Sequence, residues 1–138
     1  MSPPREITFL GIKDVLTLHE SLIRRYGGDQ GLRDVGLLES AVAVAQAGFG
    51  GQYLHEFPAE MAAAYLFHLT RNHAFVDGNK RVGLAAAILF LKLNGVRYRI
   101  TQEEAYTLTL GVASSALDKG AVVAFFRSHL VATPPSEA

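Results

Sequence analysis

Residues 58–95 read PAEMAAAYLFHLTRNHAFVDGNKRVGLAAAILFLKLNG, and this stretch predicts two apolar helices joined by a short polar connection. Pro58 suits the first position of a helix, and apolar residues then recur at helical spacing to about Asn72. After the connection, residues 78–93 predict a second helix. Its apolar run, residues 82–91, is shorter than the ~20 residues that a membrane-spanning helix needs, so it indicates a buried core helix.

Helical patterns on both sides of this stretch predict further helices. Thr101 and Glu104 have the spacing of a capping box, which marks a helix start. Residues 96–100 are predicted to form a short extended segment. The flanking helices are predicted at Ile12–Tyr26, 35–47, 102–117 and 121–130. We therefore expect an all-α fold, a compact helical domain of about six helices.

A glycine-rich segment interrupts the helices ahead of Pro58. Three glycines in four positions make a helix costly there and favour a flexible loop or a short hairpin. The segment consists of Gly48, Phe49, Gly50, Gly51, Gln52 and Tyr53.

The composition is that of a single domain without the net positive charge that would attract a polyanion such as a nucleic acid. The length suits one domain over residues 1–131, and two prolines in residues 132–138 predict a frayed tail. Thirteen basic residues balance thirteen acidic ones, which argues against general nucleic-acid binding. The absence of cysteine excludes disulfides and thiolate metal sites, and the first six residues lack the apolar stretch of a secretory signal. We expect a soluble cytoplasmic protein that binds neither nucleic acid nor a membrane.

Nine consecutive residues carry a histidine, a carboxylate, an amide and two cations: His73-Ala74-Phe75-Val76-Asp77-Gly78-Asn79-Lys80-Arg81. Lys80 and Arg81 fall in the first turn of a helix, where the macrodipole makes each cation unfavourable by about 0.3–1 kcal/mol. An anion bound at this helix start would explain both cations, because the backbone N–H groups would point at the same negative group. Phosphate is the obvious candidate, and a solvated pair of cations is the alternative.

The other residues of these nine complete a site for a phosphate ester. Gly78 would let a phosphate approach the backbone, and Asn79 can donate to a phosphate oxygen or steady the loop. Asp77 offers a hard oxygen ligand for Mg²⁺ or, alternatively, a helix N-cap. His73 can act as a neutral base and take a proton from an attacking hydroxyl.

At this point the sequence resembles a known family. The string His73-x-Phe75-x-Asp77-Gly78-Asn79-Lys80-Arg81 is similar to the Fic/Doc signature, His-x-Phe-x-(Asp/Glu)-Gly-Asn-(Gly/Lys)-Arg. Members of that family transfer part of a nucleotide or a phosphate to protein hydroxyls. The similarity extends to residues 31–34 and 36–39, to Asn72 and to residues 89–95. It implies the Fic/Doc helical domain over nearly the whole chain.

Two departures from the adenylylating Fic pattern resemble the Doc-type members. Lys80 stands where the adenylylating enzymes have Gly, and Leu84 stands where they have a second Arg. The Doc resemblance implies that ATP is held with its γ-phosphate at the histidine, so that a Thr or Ser hydroxyl is phosphorylated. The implied target is elongation factor Tu, whose phosphorylation stops translation.

The same resemblance implies a role for each residue of the motif. His73 would be the general base and Asp77 the Mg²⁺ ligand. The implied phosphate ligands are Gly78, Asn79, Lys80 and Arg81. Residues 48–53 would be the family's flap, which pairs with the target backbone as an added strand, and we call them the flap. A Phd-like antitoxin would inhibit the protein from a separate chain.

Two other functions stay open. Adenylyl transfer is disfavoured by Lys80 and Leu84, and a catalytically silent partner-binding module is disfavoured by the intact His73, Asp77 and Asn79. Phe75 is predicted to anchor the loop in the core. The remaining histidines, which are interpreted as satisfied core or surface residues, are His19, His55, His68 and His129.

Overall fold

The computed structural model describes residues 6–132, and six α-helices carry the fold within that range. The helices are α1 (Ile12–Tyr26), α2 (Val35–Ala43), α3 (Ala59–Arg71), α4 (Asn79–Leu93), α5 (Gln102–Ala113) and α6 (Lys119–His129). Four two-residue strands are β1 (Gly48–Phe49), β2 (Gln52–Tyr53), β3 (Arg97–Tyr98) and β4 (Leu130–Val131). The predicted all-α class is confirmed. None of the helices in residues 6–132 is long and apolar enough to cross a membrane.

The centre of the fold is the pair α3 and α4, the two helices that residues 58–95 predict. Nine of the 13 residues of α3 are buried, so the rest of the fold covers most of the surface of this helix. Helices α2 and α6 pack on α3, α1 packs on α4, and α5 contacts both central helices. Phe90 of α4 and Tyr65 of α3 are both fully buried, and burial of a side chain such as Phe90 stabilises the folded state by about 1.5–3 kcal/mol. The Tyr65 hydroxyl accepts the Leu10 N–H at 2.9 Å, and burial raises the pKa of Tyr65 to about 12.

Gly83 lets α3 and α4 approach each other closely. A Cβ at this position would lie 2.6 Å from Thr70 Oγ1 and 3.0 Å from the Leu66 carbonyl oxygen. Both distances are too short for a real side chain, so any larger residue would push the two central helices apart. Because α4 begins at the motif, this packing also fixes the position of the site.

The flap is a hairpin, one of the two forms predicted for it. Gly48 pairs with Tyr53 and Phe49 with Gln52. Gly50 and Gly51 form the two-residue turn with φ of 60° and 80°, the left-handed region that such turns require and glycine tolerates. The glycines therefore specify the turn.

Several helix ends differ from the prediction. Helix α2 ends at Ala43 and is followed by a 3₁₀ turn, Val44–Gln46, and α3 begins at Ala59 because Pro58 is its N-cap. Helix α6 begins at Lys119, two residues earlier than predicted, where the Asp118 side chain accepts the Ala121 N–H at 2.8 Å. The capping box of Thr101 and Glu104 is present at the start of α5.

The C-terminal bounds of α5 and α6 were predicted too far along the chain. Helix α5 ends at Ala113 because Ser115 takes φ of 67° and the Leu117 N–H turns back to the Gly111 carbonyl at 3.0 Å. Leu130 is not helical, since it pairs with Tyr98 in an antiparallel ladder. Of the predicted tail, residues 133–138 lie outside the described range.

Candidate active site

The loop between α3 and α4 is held by an antiparallel backbone contact with residues 31–34. The N–H groups of Arg33 and Asp34 both donate to the Ala74 carbonyl, at 2.8 and 3.0 Å, and the Val76 N–H donates to the Gly31 carbonyl at 2.9 Å. A Cβ on Gly31 would lie 2.9 Å from Val76 Cγ2, so glycine permits this close approach. The contact explains why residues 31–34 belong to the same sequence pattern as the motif.

His73 opens this loop in an uncommon backbone conformation. Its φ of 52° lies in the left-handed region, which costs a non-glycine residue about 1–3 kcal/mol. The Arg33 Nε donates to its carbonyl at 2.8 Å, next to the bonds at Ala74, and these contacts hold the conformation. The side chain is exposed and has no hydrogen bond to any residue of the range 6–132, so its ring can accept a proton from a hydroxyl.

Asn79 closes the loop onto the start of α4. Its Nδ2 donates to the Phe75 carbonyl at 3.0 Å, and its Oδ1 accepts the Phe75 N–H at 3.1 Å. Phe75 is 2% exposed and lies in the core, as expected. The side chain of Asn79 thus steadies the loop, which is one of its two predicted roles; a phosphate contact stays a prediction.

The carboxylate of Asp77 is exposed at the edge of the loop. Its Oδ1 accepts the Gly78 N–H at 3.1 Å, and its Oδ2 accepts the Asp29 N–H at 3.3 Å. The N-cap of α4 is Gly78, with φ of 80°, so the interpretation of Asp77 as an N-cap is wrong. Residues 6–132 contain no cluster of three His, Asp or Glu side chains that could hold a metal. One carboxylate still fits Mg²⁺, because that ion is usually held by one or two carboxylates together with substrate phosphates.

Two cations flank the open N-terminus of α4. The first helical hydrogen bond there runs from the Val82 N–H to the Gly78 carbonyl at 3.0 Å, so the N–H groups of residues 79–81 precede it. Lys80 is exposed. Arg81 Nη1 donates to the Gly27 carbonyl at 3.3 Å, and its guanidinium lies 5.2 Å from the Tyr26 ring centre. This helix start provides N–H donors and positive charge in the same place.

A cleft of about 490 Å³ lies between the start of α4 and the exposed side of α5. It is lined by Asp77, Gly78, Asn79, Lys80, Arg81, Leu84, Gln102, Ala105, Tyr106, Thr109 and Leu110. The cleft thus brings the five consecutive predicted residues together and places Leu84 beside them. His73 and the flap are not part of its lining; the flap forms a separate surface on which Phe49 is 87% exposed.

Sequence reasoning missed the far wall of the cleft and one buried residue beneath the loop. The α5 wall includes Tyr106, which is 67% exposed, and helical periodicity alone does not reveal which side of α5 faces the motif. His19 was expected to be a satisfied core or surface residue, and it is a core residue that is 2% exposed. Its Nε2 lies 2.7 Å from the Asp77 carbonyl oxygen, and its ring stacks on Phe75 with centres 3.7 Å apart.

The other three histidines lie in contacts away from the cleft. Nε2 of His55 and Nε2 of His68 lie 2.9 and 3.0 Å from Lys119 Nζ. Burial, with the neighbouring Lys119 charge, lowers the pKa of His55 and brings that of His68 to about 4. The hydrogen bond to Glu104 at 2.7 Å raises the pKa of His129. His68 and His129 are satisfied, as expected, and none of these contacts involves a residue of the motif.

Comparisons with known proteins match the part of the chain that contains the loop and the start of α4 that lines the cleft. A model of the Fic/DOC family matches residues 9–91, a range that holds His19, residues 31–34 and the whole motif. The chain is 36% identical over 110 residues to "Protein kinase doc" of Escherichia phage P1, covering 80% of this chain and 86% of that protein. It is 46% identical over 89 residues to "Toxin Doc" of Mycolicibacterium smegmatis, covering 64% of this chain and 66% of that protein.

Proposed function

The chain belongs to the Fic/DOC family, and from that premise we propose that it is a Doc-type toxin that transfers the γ-phosphate of ATP to a Thr or Ser hydroxyl. The observation that carries the proposal is a single loop that begins at His73, whose backbone is left-handed. The same loop carries the carboxylate of Asp77 and leads into the cationic start of α4. Phosphoryl transfer needs mainly positioning and charge neutralisation, and this loop supplies both.

In the proposed reaction, His73 takes the proton of the target hydroxyl as its oxygen attacks the γ-phosphorus. The bond between that phosphorus and the bridging oxygen breaks, and ADP leaves. The N–H groups of residues 79–81 and the ammonium of Lys80 neutralise the phosphate oxygens. Asp77 would hold Mg²⁺, which supplies further neutralisation of the phosphates when bound.

The cleft also suits the rest of the nucleotide. Its α4 side is cationic and its α5 side carries an exposed aromatic ring, Tyr106, with the neighbouring Thr109 and Gln102 as polar groups. An aromatic face can stack on a nucleobase, and polar side chains can bind its edge or the sugar. We place the phosphates at α4 and the nucleoside against α5.

Lys80 and Leu84 favour phosphate transfer over adenylyl transfer. Both residues line the cleft. An ammonium at position 80 fills the space that the adenylylating pattern keeps small, and the apolar Leu84 cannot clamp distal phosphates as a second Arg would. These two side chains therefore support the proposed orientation, with the γ-phosphate toward His73.

The proposed target is elongation factor Tu, whose modification would inhibit translation, and the proposed inhibitor is a Phd-like antitoxin. Phe49 and Tyr53 of the flap are exposed, and the hairpin edge can accept an added strand from the target. An apolar groove of about 420 Å³ between α1 and α4, lined in part by Leu22 and Ile88, suits the apolar face of an antitoxin segment that folds on binding.

The test is the position of the transferred label. Purified protein is incubated with elongation factor Tu and ATP labelled at either the γ- or the α-phosphate, with His73→Ala as the inactive control. We expect only the γ-label to reach the factor, with the mass of one phosphate added to a Thr or Ser. Transfer of the α-label would establish adenylylation instead, and transfer of neither label, with tight binding of both proteins, would favour a silent binding module.

A further inference from the structure

We propose that His19 is a positioning residue that fixes the orientation of the Asp77–Gly78 peptide beneath the phosphate-binding end of the cleft. The inference rests on the proposed function for its catalytic consequence. The orientation of the peptide by His19 does not depend on that function, because the hydrogen bond between them forms within the protein and involves no nucleotide.

Two contacts tie the His19 ring to the motif, and the ring lies close to a third residue of it. Nε2 lies 2.7 Å from the Asp77 carbonyl oxygen, and since a carbonyl can only accept, the imidazole must carry its proton on Nε2 and donate it. The ring stacks on Phe75 with centres 3.7 Å apart and planes inclined by 10°. A Cβ on Gly78 would lie 3.5 Å from the same Nε2, so the ring lies close to the N-cap of α4.

The carbonyl contact determines where the Gly78 N–H points. The Asp77–Gly78 peptide is trans, as are all described peptides except Phe57–Pro58, and in a planar trans peptide the C=O and N–H groups point in opposite directions. His19 draws the carbonyl inward, so the N–H is directed outward, to the side where the Asp77 carboxylate accepts it at 3.1 Å. Both Asp77 and Gly78 line the cleft.

A flipped peptide would break the hydrogen bond from the Gly78 N–H to the Asp77 carboxylate and place a carbonyl oxygen beside that carboxylate, which is proposed to hold Mg²⁺. Gly78 is the residue that makes the flip accessible, because its φ of 80° and ψ of 16° are tolerated by glycine alongside other conformations. His19 removes that freedom from beneath, where solvent cannot replace its hydrogen bond, since the residue is 2% exposed. The donor acts by orienting a backbone dipole, and it does not touch the reacting atoms.

The test separates the two contributions of the His19 ring, the hydrogen bond to the Asp77 carbonyl and the stacking on Phe75. His19→Phe keeps a planar ring for Phe75 and loses the donor, whereas His19→Gln keeps an N–H donor near the position of Nε2 and loses the ring. His19→Asn, which is too short to reach the carbonyl, serves as a second variant without the donor in case Phe is not accommodated. His68→Gln is the matched control, the same substitution at a partly buried histidine away from the cleft.

Two readouts are measured, the amide resonance of Gly78 in nucleotide-free protein and the kinetics of γ-phosphate transfer. We expect the Gly78 resonance to move in the variants without the donor and to stay close to wild type in His19→Gln. With the donor lost, kcat should fall about 10- to 100-fold while KM for ATP changes less than about threefold, as for a misplaced catalytic group. His19→Gln should recover most of kcat, and His68→Gln should keep it.

An unchanged Gly78 resonance in the variants without the donor would overturn the proposal. So would equal losses of kcat in His19→Phe and His19→Gln that follow their thermal stabilities, because only packing would then matter. If the wild-type protein transfers no phosphate to any target, the proposed function fails, and the Gly78 resonance still decides whether His19 orients the peptide.

Discussion

Lys119 Nζ lies 3.0 Å from Nε2 of His68, and because an ammonium only donates, the imidazole must be neutral to accept this hydrogen bond. Burial, the charge of Lys119 and the neighbouring His55 lower the pKa of His68 from its ordinary value of 6.5 to about 4. A folded-state pKa below the unfolded one means that the unfolded chain binds the proton more readily. The stability that depends on a neutral His68 is therefore fully present above pH 6.5, and it is lost as the pH falls toward 4.

His68→Gln should therefore reduce the loss of stability in mild acid. The amide oxygen of Gln can still accept from Lys119, but it does not titrate. The free energy of unfolding in urea at neutral pH and at pH 5 measures the effect in both proteins. The other titratable groups around His68 are unchanged between the two proteins; they are His55, Lys119 and Glu60. The pKa of His129 is raised, so its effect on the pH dependence of stability is opposite, and it is the same in both proteins. An identical pH dependence in the two proteins would show that the pKa of His68 is the same in the folded and the unfolded state.

Replacing His73 should abolish transfer without loss of the fold. We expect His73→Ala to lower the rate about 10²- to 10⁴-fold, the usual contribution of a positioned proton acceptor. His73→Asn is the better-matched variant, because Asn tolerates the left-handed backbone at this position and cannot act as the base. Growth arrest on expression, phosphate transfer and thermal melting are compared for both. A folded His73→Asn protein that still arrests growth would remove His73 from the mechanism.

Asp77→Asn should weaken only the Mg²⁺-dependent part of nucleotide binding. The Asn side-chain oxygen can still accept the N–H of Gly78 or Asp29, so stability without metal should change by less than about 1 kcal/mol. Calorimetric titration of ATP with Mg²⁺ and with a chelator separates the two contributions. Equal losses of affinity in both titrations would make Asp77 a structural residue of the loop.

The charge of Lys80 should be needed for phosphate transfer. Lys80→Gln removes the ammonium and keeps a good helix former, whereas Lys80→Gly also costs about 0.5–1 kcal/mol of helix stability, so Gln is the cleaner variant. We expect a rate reduced about tenfold or more in both, with no rescue by Leu84→Arg. A protein with Lys80→Gly and Leu84→Arg together is assayed for α-label transfer. A γ-transfer rate at the wild-type level in Lys80→Gln would exclude this role.

The sequence predicted correctly those helix ends that are set by neighbouring residues, such as glycines or a capping box. Gly27 and Gly28 end α1 where predicted, and the capping box of Thr101 and Glu104 starts α5. The ends that were wrong depend on tertiary contacts. The apolar pattern continues past Ala113, but Leu117 folds back onto Gly111, and Leu130 pairs with a strand more than 30 residues away.

The candidate site was predictable only where it is continuous in sequence. The residues from Asp77 to Arg81 are adjacent along the chain, and one helix start brings them together in the cleft. His19 and Tyr106 reach the same region from different helices. Their roles follow from the packing of α1 and α5 against the central pair, which no spacing in a single sequence reveals.

The backbone contact between residues 31–34 and the loop at residues 73–76 links the two segments, so we expect their amide protons to exchange with solvent in one cooperative opening. The amide protons of Arg33, Asp34 and Val76 are each donated across this contact, so none can reach solvent unless the two segments separate. In native-state hydrogen exchange these three amides should share one opening free energy and one denaturant dependence. Separation would also release the Ala74 carbonyl and, with it, the backbone strain at His73. The conformation of the loop therefore depends on a distant part of the chain staying docked.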